Sequence, residues 1–532
     1  MPGKGVVFNY ERKLISKGVR TLLQVILLAA LTVVPVLHFL QVKRYEPVNP
    51  ALMESDKGFV AVSFPGANRT RKGARMDDGM LFEQLSALKE SGLVTLTQQD
   101  VLDFYGSGGR LPEKGMLLLF EDGRRDTVML VQPMLERLNY KATMLREAGG
   151  LTQKENGKLQ PNNLLDMAST SFWELGSSGY GTDYDSINTI YTKQLGYAPL
   201  LYAILPTEGA DGDAAQNTRA QNPEGTRRAG QMALSREGEA FNTRDSSPLE
   251  LTRIQAQSYW YTNHLLMRIQ QDTGYPMAFQ TGDSRRAAHW SIQCGRAEFR
   301  AGTIILTTPP DSPAEMHLSH SERFQNVSLR VDLDGNVVGE QAIFLRRDAQ
   351  KNSFIKVALK DNSLLLSQKE SVGGETVLST VALPVPAESD AHCFEIAWLN
   401  TARPEDAAEI APTPPVLEAL QPDIHAVGSR RLEIILIGSL LVVRVDGVEA
   451  AETPVSGEIE GGLISLYADK SESNTCDSVY DGVFTDLLLQ QPEVNAKNQR
   501  TLFDNRSSFM EIAAHSIHKA YDMAIDRLTE GF

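Results

Sequence analysis

Residues 81–144 read LFEQLSALKESGLVTLTQQDVLDFYGSGGRLPEKGMLLLFEDGRRDTVMLVQPMLERLNYKATM. The stretch opens on a helical pattern in which Leu81, Leu85 and Leu88 share one face at i, i+4, i+7 spacing. It passes to GMLLLF, an apolar run of strand length without polar alternation, as expected of a strand buried on both faces. A second helix pattern, TVMLVQPMLERLNY, and a second short run, KATMLRE, follow. Upstream, FVAVSFPG supplies one more strand. Strand and helix in alternation from Gly58 predict parallel β/α units, with the three leucines as sheet-covering core.

Glu121 and Asp122 fall where the GMLLLF strand ends. Two adjacent carboxylates at such an end suit a hydrolytic site, one holding a metal and the other taking a proton from water. An acidic turn between strand and loop is the plainer reading of the same two residues.

A chain of 532 residues is long enough for two or three domains, each with its own core. Hydrophobic residues at 42% and charged residues at 22% are ordinary for a globular protein. A net charge of -15 argues against a nucleic-acid partner. Cys294, Cys393 and Cys476 are too few and too far apart for a zinc cluster or a disulfide framework, and leave room for one bridge, Cys393 to Cys476.

Near the start, Thr21 to Val42 carries no charge over a length sufficient to cross a bilayer. Lys4, Arg12, Lys13, Lys17 and Arg20 precede it against the single acid Glu11. The positive-inside rule then predicts an uncleaved single-pass anchor with its N-terminus in the cytoplasm and the bulk of the chain periplasmic or extracellular. A cleaved signal peptide is the competing reading.

Between Pro206 and Pro248 the sequence is dense in Gly, Asn, Asp, Arg and Ser, which predicts a flexible insertion. Helical periodicity resumes at ELTRIQAQSYWYTNHLLMRIQQDTG and leads to the strand-like YPMAFQTGD. From about Trp290 the period becomes two, in short runs separated by turns such as Asp361-Asn362 and Asp446-Gly447, the pattern of a β-sandwich. The chain closes on an amphipathic helix, Ser508 to Leu528, opened by capping-box spacing between Ser508 and Glu511. The expected organisation is therefore multidomain: cytoplasmic tail 1–20, transmembrane helix 21–42, stalk 43–57, β/α domain 58–288 with the insertion 206–248, sandwich 289–491 and C-terminal helix 492–532.

The run quoted at the outset resembles the opening half of the polysaccharide deacetylase (NodB homology) family: F..QL..L...G, then LP.K...LTFDDG, then a helix ending in Y..KAT. The resemblance covers about 60 contiguous residues and continues more weakly to Asp283. It implies a distorted (β/α) barrel, truncated here because the sandwich pattern begins where further β/α units belong. A strand or loop near Arg296 to Thr308 is then expected to plug the gap. The sandwich resembles the concanavalin-like, laminin-G-type jelly roll, through LLVVRVDGVEA and GGLISLYAD.

Carried over residue by residue, the resemblance places the family's metal-binding Asp at Asp122 and its base at Glu121, an Asp in the family. The ligand loop aligns through Glu174-Leu175-Gly176-Ser177, so its two histidines fall on Ser178 and Thr182. Hydroxyls are poor ligands for zinc. Phe279 to Asp283 aligns with the family's PYG strand, and His317 to His320 is the only imitation of its later histidine strand. The resemblance thus implies a degenerate site with no cofactor. Trp173, Tyr180, Tyr184 and Gln280 are the candidates for gripping a glycan, with space-filling as the plainer role for the aromatics.

The leading expectation is a bacterial, membrane-anchored pseudoenzyme that binds a cell-surface polysaccharide or helps exopolysaccharide synthesis and export proteins assemble it. The first alternative is an active zinc-dependent deacetylase using Asp122 with Asp183 or Asp185, and Glu121 as base. The second is a scaffold that docks proteins through the sandwich and the terminal helix.

Overall fold

A computed structural model describes residues 43–69, 75–153, 155–180, 184–205, 232–235, 239–336, 339–383, 390–391, 426–472, 474, 477–492 and 500–508. The first domain is built on β1 (Phe59–Phe64) and β2 (Gly115–Phe120), whose residues are all buried. They run parallel in register from Phe59 beside Gly115 to Phe64 beside Phe120. The sheet continues in parallel through β3 (Ala142–Glu147), β4 (Trp173–Tyr180), β5 (Leu201–Leu205) and β6 (Met232–Ser235).

Helix α1 (Asp78–Glu90) starts where the Asp77 side chain accepts from Met80 N, and buries Leu81, Leu85 and Leu88. Helix α2 (Gln98–Gly106) opens on a capping box between Thr97 and Asp100. Helix α3 (Arg125–Leu138) ends at Asn139 in the left-handed conformation, φ 49°. Further along, α4 (Pro161–Ser169) and α5 (Tyr184–Leu195) flank β4.

The ring is closed by residues 251–255. β7 (Leu251–Thr252) pairs with β6, and β8 (Ile254–Gln255) pairs with β1. A single bend at Arg253 thus joins the two ends of the sheet. The barrel is nearly closed by its own chain, so the expected truncation is corrected. The helical periodicity of the sequence from Glu250 onward predicts a helix there, but pairs of strand residues occupy 251–255 and helix α6 (Thr262–Thr273) begins later. β6 lies inside the stretch expected to be a flexible insertion, with Met232, Ala233 and Leu234 fully buried.

The second domain begins at Trp290 and is a sandwich of two antiparallel sheets whose inner faces form one apolar cluster. Three of its strands reach the barrel: β9 (Arg296–Phe299), β10 (Thr303–Thr307) and β11 (Asp481–Gln490). Rather than plugging the ring, they cover its outside. Ile305 and Val483 join the apolar cluster that holds Leu81, Leu85 and Leu265.

The expected membrane anchor is corrected as well. Among the described residues no helix is long and apolar enough to cross a membrane, and residues 21–42 lie outside them. The single-pass topology, the membrane partner and the extracytoplasmic placement rested on that helix alone, so none of them is carried further. Cys393, Cys476 and most of the terminal helix also lie outside the described residues, while Cys294 is free and exposed.

Candidate functional site

At the ends of β1 and β2 the rings of Phe64 and Phe120 stack with centroids 5.7 Å apart, and Glu121 N donates to Phe64 O at 3.0 Å. That backbone bond turns the Glu121 side chain into the barrel. There Arg253 Nε donates to its Oε1 at 2.9 Å, and neither side chain has any exposed surface. Gln255 Nε2 stands 3.4 and 3.5 Å from the two carboxylate oxygens. The residue at the base position is therefore a fixed member of a buried ion pair at the barrel seam.

Asp122 is half-buried and leans on Gly66, where a Cβ would come within 2.0 Å of its Oδ2. Gly66 has φ +106°, a conformation that itself calls for glycine. Thr127 Oγ1 donates to Asp122 Oδ2 at 2.5 Å and Arg124 N to Oδ1 at 3.2 Å. Lys158 Nζ donates to the Asp122 carbonyl oxygen at 2.8 Å. Burial lifts the Asp122 carboxyl above its ordinary range, opposed by the Thr127 hydrogen bond and the charge of Lys158. Burial also lowers the Lys158 ammonium, which Asp122 partly restores.

The raised carboxyl has a measurable consequence. With its folded pKa above the unfolded value, the folded chain holds more protons between the two, so this group's contribution to stability falls as pH rises through that window. Above the window the cost of the buried carboxylate is complete. Asp122→Asn is expected to resist denaturant better than the parent at pH 7, with the advantage gone below about pH 4, near the unfolded value. Denaturant midpoints at the two pH values check this. A variant weaker at pH 7 would mean that the cations outweigh burial.

Ser178 is buried on β4, in register with Glu147 of β3. Thr182 and Asp183 lie outside the described residues, as do the side chains of Tyr180, Tyr184 and Asp185. Trp173 is 2% exposed, its Nε1 donating to Gln132 Oε1 at 2.6 Å and its ring set edge-on to Phe120 at 5.5 Å. It fills the core, and neither face is open to a sugar. Gln280 sits away from the pair, its backbone held by Asn263 of α6 and its Nε2 bonded to Glu90 Oε2 at 3.0 Å. The strand beside β1 is Ile254–Gln255, preceded by Arg253, and not Phe279 to Asp283. His317 belongs to the sandwich, where its Nδ1 lies 2.6 Å from Ser465 Oγ.

Among the described residues no group of three or more His, Cys, Asp or Glu is placed to hold a metal ion. Asp122 and a serine hydroxyl do not make a zinc site, which takes imidazole, thiolate and carboxylate donors. Among the described residues the donor set therefore does not fit the zinc of the active-deacetylase alternative. Sequence reasoning missed Arg253, Gln255, Thr127, Lys158 and Gly66. Only Arg253 left a signal, as a lone charge inside the short run LTRIQA.

No family model matches the chain, and no curated protein matches it. Among solved structures, it is similar to the Streptococcus pyogenes deacetylase PplD in complex with acetate, at 15% identity and TM-score 0.34, over 40% of this chain and 99% of that one. It is also similar to IcaB from Ammonifex degensii, at 14% identity and TM-score 0.31, over 38% and 92%. A third match is the carbohydrate binding module CBM66 from Bacillus subtilis, at 12% identity and TM-score 0.26, over 38% and 94%. The relationship to polysaccharide deacetylase folds is distant and partial.

Proposed function

We propose that this chain is a non-hydrolytic, deacetylase-like protein that engages a carbohydrate polymer at the end of the barrel where β1 and β2 finish. The observation that carries the reading is the buried Glu121–Arg253 pair. A general base must reach a water and accept its proton. Glu121 instead has its charge matched by a guanidinium inside the protein and no surface open to solvent. Asp122, beside it, is tied to Thr127 and the backbone of Arg124, with the Lys158 cation adjacent. With Glu121 sealed inside that ion pair, the position that would activate a water cannot reach one, and the barrel end is left to binding.

The test uses the full chain, purified without chelator, and an Asp122→Ala control. Expected results are no stoichiometric zinc, nickel or cobalt, no acetate release from acetylated chitin oligomers, and retardation in gels containing polysaccharide. Stoichiometric metal that disappears in the control, together with acetate release, would make the chain an enzyme. Absence of retardation by every polysaccharide tried would leave a protein-docking scaffold.

A further inference from the structure

Around Asp122, three cations meet two carboxylates. Arg75 Nη1 donates to Asp126 Oδ2 at 2.5 Å and to Ala67 O at 3.3 Å. Arg124 holds the same carboxylate through Nε at 2.9 Å to Oδ1 and Nη2 at 3.3 Å to Oδ2. Its guanidinium rests on Gly157, where a Cβ would meet Nη2 at 2.6 Å. Lys158 follows directly and is the bridge partner of Arg124, which sets its ammonium beside Asp122. The neighbouring Glu155 is taken up by Arg146 at 3.2 Å.

One positive charge is therefore left over, on side chains that are still 27% and 30% exposed for Arg75 and Arg124. Among the described residues, neither Arg75 Nη2 nor Arg124 Nη1 donates to a protein acceptor. A guanidinium has five N–H donors in a fixed fork suited to a carboxylate, and an ammonium has three. We propose that this rim seats the carboxylate of an acidic carbohydrate, a uronic-acid polymer, on Arg75, Arg124 and Lys158. The inference rests on the carbohydrate reading above and narrows it to one class of polymer.

The chain as a whole carries a net charge of -15, which would repel such a polymer from afar. Salt screens that repulsion beyond about 8 Å at physiological ionic strength, so the local excess decides once contact is made. A neutral polysaccharide offers these three cations only hydroxyl and amide oxygens, with no opposite charge. A carboxylate adds the opposite charge and can take two parallel N–H bonds from one guanidinium.

The probes are an oligogalacturonate, its methyl ester, free galacturonate and a neutral chitin oligosaccharide, titrated calorimetrically into the full chain. The acid oligomer is expected to bind and its ester to bind at least about tenfold more weakly, as is the acid to Arg124→Gln or Arg75→Gln. Arg124→Lys keeps the charge and is expected to lose less, and added salt to weaken only the acid. Equal binding of acid and ester, or variants that fold and bind like the parent, would overturn the proposal while leaving a glycan groove. Chitin oligosaccharide bound in place of the acid would do the same, and so would free galacturonate bound as tightly as the oligomer. If no oligosaccharide binds, the carbohydrate reading falls and this inference with it.

Discussion

Arg253→Met is expected to lower the unfolding free energy by about 3–5 kcal/mol, the usual cost of removing one partner from a buried ion pair. Arg253 and Glu121 have no exposed side-chain surface, so the carboxylate left behind has no water to turn to. Gln255 Nε2, at 3.4 Å or more, is too distant and too weakly polar to replace a guanidinium. The position of Arg253 adds to the effect, because it is the single residue between the strand pair that closes on β6 and the one that closes on β1. Glu121→Leu alone is expected to cost a similar amount by stranding the arginine. The double change, Glu121→Leu with Arg253→Met, is expected to recover much of the loss, since two apolar side chains avoid the desolvation that the ion pair bears. Denaturant unfolding of the four proteins measures all of this. If both single variants unfold like the parent, Arg253 does not hold Glu121, and the carboxylate is available for proton transfer after all.

The same residues show what was legible in the sequence. β1 and β2 sit inside a parallel sheet, so their runs are apolar throughout and readable at once. The leucine stripe of α1 was equally plain, and the two-residue alternation marked the sandwich from Trp290. Closure of the ring was not readable. It depends on two strands of two residues each, too short for any period to show, and on β6, an apolar island within a polar stretch. The chemistry was harder still. Glu121 and Arg253 are 132 positions apart, so only the closed ring reveals that the acid is neutralised. Trp173 looked like a sugar platform because it stands near the lost ligand positions, but it begins a strand packed between β3 and β5, with its ring against Phe120. Composition cannot tell an aromatic in a groove from one in a core.

Asp481→Ala is expected to loosen the barrel from the sandwich and to cost about 3–5 kcal/mol, since each buried donor left unpaired costs roughly 1–3 kcal/mol. Asp481 stands at the start of β11 and is 8% exposed. Its Oδ2 accepts from Tyr261 N at 3.1 Å and lies 3.0 Å from His264 Nδ1, while Oδ1 accepts from Thr307 Oγ1 at 2.7 Å. Tyr261 is the N-cap of α6 and makes no side-chain capping bond of its own. The sandwich therefore supplies a carboxylate to the positive end of a barrel helix, a placement that the helix dipole favours. Tyr259 OH, donating to Asp477 Oδ2 at 2.8 Å, and Arg300, paired with Glu83 at 2.6 Å, tie the same surfaces together. With the buried links of Asp481 and Asp477 across the interface, the parent should unfold in one transition, seen alike by circular dichroism and by tryptophan fluorescence. The Asp481→Ala variant should show an earlier or divided transition, and Asp481→Asn, which keeps one acceptor oxygen but not the charge, a smaller change. Two separate transitions in the parent would sink the argument, because the domains would then be neighbours that do not stabilise one another. A single one would mean that the two domains stabilise one another through this interface.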